Sequence, residues 1–103
     1  MASHQATKQI ATPTTGQTVT IANQDGDIRL VVNPAGTLLA LTIAFPSAPH
    51  DGQILTICSS QILTGLTLTS GGTILGALTT MAAVNSYASY CYDLAGTKWY
   101  RVG

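Results

Sequence analysis

Apolar and polar positions alternate with a period of two along most of this chain, and no long window carries a helical stripe. Residues 17–23, QTVTIAN, set Val19 and Ile21 against Thr18 and Thr20. NQDGD at 23–27 reads as a turn, because Gly26 tolerates positive φ between two strand-like runs. DIRLVVN (27–33) follows as a strand, and NPAG (33–36) is a second tight turn with Pro34 preset for its second position.

TLLALTIAF (37–45) is the strongest strand signal. It puts Leu39, Leu41, Ile43 and Phe45 on one face and Leu38, Ala40, Thr42 and Ala44 on the other. Two mostly apolar faces predict burial on both sides. PSAPHDG (46–52) is a loop, since its prolines do not suit a sheet interior. GQILTICS (52–59), ILTGLTLTS (62–70) and TILGAL (73–78) resume extended structure, with Gly65 a bulge or a close-approach site. TTMAAVN (79–85) is the one place where a helical turn competes. SYASYCYD (86–93) and TKWYRVG (97–103) then pair as a hairpin across Leu94, Ala95 and Gly96.

Short strands separated by turn signals predict an all-β fold, a small antiparallel β-sandwich or barrel of about seven to eight strands. Residues 1–16 form a polar N-terminal arm, and 17–103 a single β-sandwich or barrel domain. The arm lacks the apolar core of a signal peptide. The apolar run from Leu38 to Phe45 is too short to span a bilayer as a helix, so no membrane insertion is expected.

Composition adds the expectation of partners. Only 8% of residues are charged, every acid is Asp, 46% are hydrophobic and the formal net charge is zero. Ordinary soluble domains carry about 25% charged residues. A neutral, apolar surface repels its own copies weakly, so the chain is expected to assemble as a homo-oligomer. Lys8, Arg29, Lys98 and Arg101 are too few and too scattered for nucleic acid.

Candidate chemistry is sparse. His50 beside Asp51 is the only neighbouring pair of its kind, without a nucleophile motif, and neighbours on an extended chain point opposite ways. Asn23, Asp25 and Asp27 offer too few oxygens for Ca²⁺ and suit a turn better. No catalytic residue, metal site or cofactor is expected, and the chain is expected not to be an enzyme. Cys58 and Cys91 either pair or sit as small hydrophobes in strands.

Five of the six aromatic residues, Tyr87, Tyr90, Tyr92, Trp99 and Tyr100, fall within residues 85–102. Alternation puts Tyr90 and Tyr92 on one face, toward the core or a neighbour, and Tyr87 on the other; Trp99 is expected near a rim. Cross-strand aromatic pairs stabilise a hairpin by roughly 0.2–1 kcal/mol each. The main expectation is therefore structural. The second is ligand contact by Tyr87, Trp99 and Tyr100, with sugar stacking on exposed rings. The oligomer interface is expected to use Leu38, Leu41, Ile43, Phe45, Tyr90 and Tyr92.

Five motifs occur in order: NPAG-x-L at 33–38, P-x-x-P-x-DGQ at 46–53, SQ-x-L-x-x-L-T at 60–67, SGGT at 70–73 and WYR at 99–101. From Asn23 onward, about four-fifths of the chain resembles a β-rich module of tailed-bacteriophage virion surface proteins. That resemblance implies a homotrimer on the virion surface, made in the host cytoplasm, with no catalytic site. Its partner would be the major capsid protein or another virion protein. No shaft or coiled coil precedes the module in this sequence, which favours a capsid decoration (cement) protein. The alternative is a tail-fibre or spike domain recognising host-surface glycan. His4, Gln5, Lys8 and Ile10 of the arm are the expected docking residues. Whether Met1 is the native start stays open.

Overall fold

A computed structural model describes residues 6–24 and 26–103 and contains no helix among them. The strands are β1 (Ala6–Ala11), β2 (Thr18–Thr20), β3 (Asp27–Val32), β4 (Leu41–Ala44), β5 (Ile54–Ser59), β6 (Leu66–Thr69), β7 (Thr73–Leu75), β8 (Ser86–Asp93) and β9 (Lys98–Arg101). The all-β expectation holds, and the period-two signal is the reason: β5 alternates half-buried and buried residues along its whole length.

The pairing differs from the antiparallel expectation. Up to β6 the chain alternates between two sheets. β1, β3 and β5 lie side by side in the larger sheet, and β2, β4 and β6 form the smaller one, every pair parallel. Each circuit returns to the same sheet in register roughly 25 residues later, which is the length of a solenoid repeat. NQDGD and NPAG are therefore corners that carry the chain across to the opposite sheet, not hairpin turns. The coil stops at β8, which runs antiparallel to β5, and β9 and β7 complete the larger sheet in the order β1-β3-β5-β8-β9-β7.

The polar arm is also revised. Its residues 6–11 form β1, the edge strand of the larger sheet, and Gln9 ties it to the next strand. The Gln9 amide donates to the Thr20 carbonyl at 2.9 Å and accepts from the Ala22 N–H at 3.1 Å. Residues 37–45 are strand only from Leu41. Leu41, Ile43 and Phe45 point into the chain's own core, but residues 38–40 turn a corner and leave Leu39 72% exposed. Residues 79–85 are not helical. Met81 is buried and exchanges backbone hydrogen bonds with Leu63 at 2.8 and 2.9 Å, closing the edge beside β6.

The core lies between the sheets. Ile28, Leu30, Val32, Leu55 and Ile57 of the larger sheet face Val19, Leu41, Ile43 and Leu66 of the smaller one. Phe45 packs edge-on against Tyr90 at 5.4 Å and Trp99 at 5.1 Å, closing the end where the coil meets β8 and β9. Burying such side chains contributes roughly 1.5–3 kcal/mol each.

Amides do at the corners what ion pairs do elsewhere. The buried Gln53 side chain donates to the carbonyls of Gln24 (3.1 Å) and Gly26 (2.7 Å) and accepts from the His50 N–H (3.3 Å). Asn23 accepts from the Ala48 N–H at 2.8 Å and donates to Ser47 Oγ at 3.1 Å. Successive coils are thus joined without taking charge out of water.

Candidate interaction face

Parallel register lines up the outward side chains of the larger sheet in rows. Lys8 sits beside Arg29, Arg29 beside Thr56, and Thr56 opposite Ser89, whose hydroxyl lies 3.0 Å from that of Thr56. A second row runs Ile10, Val31, Cys58 and Tyr87 across four strands. A third runs Ile54, Cys91, Tyr100 and Leu75 across four, with Asp27 of β3 bonded to its end through the Ile54 N–H. Val102, just past β9, stays bonded to Ser89 and continues that face. Ile10, Leu75, Tyr87, Tyr100 and Val102 are large apolar side chains left exposed there, Tyr87 the most at 63%.

The alternation argument sorts most of the aromatics correctly. Tyr90 and Tyr92 are in the core, while Tyr87 and Tyr100 are exposed on the outward face. Trp99 is corrected: it is 1% exposed, packed at 5.0 Å against Tyr92 and 5.1 Å against Phe45, and does not form a rim. The expected ligand set therefore splits, with Tyr87 and Tyr100 on the surface and Trp99 inside.

The interface residues are corrected too. Leu38, Leu41, Ile43, Phe45, Tyr90 and Tyr92 are all buried within one chain, where they join the sheets to each other. Their apolar surface lies inside the chain's own core. Apolar surface is left open on the outward face, whose Val31, Cys58 and Ile54 were read only as strand residues. Their signal was three outward positions, Val31 in DIRLVV and Ile54 and Cys58 in ILTICS, apolar where an exposed strand face is ordinarily polar.

Of the docking residues, His4 and Gln5 lie outside the described residues. Lys8 and Ile10 are on β1 and exposed, at the margin of the outward face. Of the turn carboxylates, Asp27 accepts from the Ile54 N–H at 3.0 Å. Asp51 likewise accepts from the Leu94 N–H at 3.0 Å. Asp25 lies outside the described residues. Among the described residues, no three His, Cys, Asp or Glu side chains gather as metal ligands would.

One concavity lies between the PSAP loop and the SGG turn. It holds about 140 Å³ and is lined by Pro46, Ser47, Pro49, Gly72, Tyr92 and Trp99, among others. Thr97, on its wall, adopts a left-handed backbone at φ 53°, uncommon for a β-branched residue. Gly72 lets the chain pass against the Thr97 carbonyl, where a side chain would collide. Ligand pockets usually enclose about 300–1,000 Å³. This cleft is a seam between two turns.

No protein-family model matches the chain, and neither does any curated protein.

Proposed function

We propose that this chain is a non-enzymatic structural protein of a bacteriophage virion, acting as a capsid decoration protein on the head surface in association with copies of itself, as a homotrimer. The observation that supports it is the outward face of the larger sheet. A chain with 8% charged residues leaves Tyr87, Tyr100, Ile10, Leu75 and Val102 exposed together there. Exposed apolar side chains spread over one sheet face, from β1 at one edge to β7 at the other, are what an assembling subunit needs. The ordered motifs from NPAG to WYR add the resemblance to virion surface modules.

Shell proteins would meet β1. Among the described residues it is the edge strand of the larger sheet, suited to strand addition, and it carries exposed Lys8 and Ile10. The mechanism is mechanical. Several copies touching several shell subunits add weak contacts into one durable attachment, raising the cost of separating the shell. Purified protein added to shells stripped of surface proteins is expected to bind and to raise their rupture temperature; absence of binding would remove the reading.

The second reading is a receptor-binding domain that stacks host-surface glycan on Tyr87 and Tyr100, whose rings share one exposed face. Binding of the isolated protein to susceptible cells, lost in Tyr87→Ala with the fold intact, would select it. Trp99→Ala is unsuitable for that purpose, because it tests the core.

A further inference from the structure

We infer that the outward face of the larger sheet is the surface that a neighbouring copy of this chain covers in the trimer, centred on β5 and β8. The inference rests on the self-assembly part of the proposed function and gives it a location.

The distribution of charge carries it. The two central strands present Ile54, Thr56, Cys58, Tyr87, Ser89 and Cys91, all uncharged. Charge is confined to the margins: Lys8, Arg29 and Asp27 on β1 and β3, and Asp93 with Lys98 where β8 and β9 begin their hairpin. Protein interfaces share this arrangement, a centre depleted of charge inside a polar rim, with tyrosine enriched. An ordinary solvated sheet face carries charged residues on its central strands instead.

Size is consistent with a copy of the same chain. At on the order of 200 Å² per large side chain, the five exposed apolar residues leave roughly 500 Å² open to water. Half-exposed Val31, Ile54, Cys58 and Cys91 extend the patch toward the roughly 800 Å² that each partner contributes to a standard interface. The formal net charge of zero leaves no long-range repulsion between copies. A nucleic acid or an acidic partner would need cations at the centre, and they are at the edge.

Sedimentation velocity on the full chain tests it, comparing the unaltered protein with Tyr87→Lys, Tyr100→Lys and Leu39→Lys, each checked by circular dichroism. Leu39 is exposed but off this face. The unaltered chain is expected to assemble. Each tyrosine variant should weaken assembly about ten-fold or more, as a charge at an interface centre does, and Leu39→Lys should leave it unchanged. Assembly unaffected by both tyrosine variants would overturn the inference and leave the self-assembly reading standing. A single copy at all concentrations would overturn both, while the shell-binding experiment would still judge docking. If the variants fail to fold, maleimide labelling of Cys58 and Cys91 in the unaltered chain decides. Labelling is expected to slow about ten-fold or more from dilute to assembled protein, and equal rates would overturn the inference.

Discussion

Gly65 leaves no room for a methyl group, because a Cβ there would run into the Leu39 carbonyl oxygen of the preceding coil. Nothing lies within 4 Å of a Cβ built at Gly36, whose φ is not positive. Gly65→Ala is expected to cost about 1–3 kcal/mol through the forced backbone shift. Gly36→Ala should be neutral, or stabilising by up to about 1 kcal/mol. Denaturant midpoints of the two variants check the contrast.

Tyr90 carries the clearest pH dependence at this scale. Burial pushes its hydroxyl above the ordinary value of 10.0, against smaller lowering by the Leu78 backbone N–H and the charge of Arg101. The unfolded chain releases that proton first, near pH 10, so above it the unfolded state binds fewer protons and stability falls as pH rises. The hydroxyl's contribution is complete below the unfolded pKa and is lost as pH climbs through the folded one. Tyr90→Phe removes the hydrogen bonds to Gly76 O and Leu78 N, both 3.3 Å, at a cost of about 1 kcal/mol near neutrality. It should also flatten the alkaline loss, as read from unfolding free energies between about pH 8 and 11.

At the scale of elements, register settles the cysteines. Cys91 stands opposite Ile54 and Cys58 opposite Tyr87 on adjacent strands. Their Cα atoms are therefore roughly 13 Å apart along the strands, well beyond the about 7 Å limit for a disulfide. Two free thiols are expected by titration, and a melting temperature indifferent to reductant; a reductant-sensitive intrachain bond would contradict the register. The same element scale shows what was legible in the residues. Alternation placed β3, β5 and β8 and assigned Tyr87 and Tyr90 to opposite faces. It did not reveal direction, because a period of two is common to parallel and antiparallel strands. Asp-Gly and Asn-Pro turn chemistry suits a corner as well as a hairpin. The missing clue was repetition: TVTIA, LTIAF and LTLTS recur roughly 25 residues apart, a solenoid spacing, and they became stacked β2, β4 and β6. The outward face was half legible. Tyr87 and Tyr100 were read only as an alternative ligand contact, together with the buried Trp99, and their neighbours across β3 and β5 exist only once the parallel register is known.

For the whole molecule, salt distinguishes the forces that hold copies together. A contact centred on Ile54, Cys58 and Tyr87 and only rimmed by Lys8 and Arg29 gains from water leaving apolar surface. Raising sodium chloride from about 0.05 to about 0.5 M shortens the screening length severalfold and should change its dissociation constant by less than about three-fold. Sulfate, which is excluded from protein surface, should tighten it. Contact of the β1 edge with an acidic shell surface through Lys8, and through Arg29 beside it on β3, should instead weaken over the same range of chloride. Sedimentation of the isolated chain should therefore stay nearly flat in chloride and tighten in sulfate, whereas binding to stripped shells should weaken in chloride. Self-association that dissolves in chloride would shift the contact from the neutral centre to the charged margin, because only charges separated by water are screened so readily.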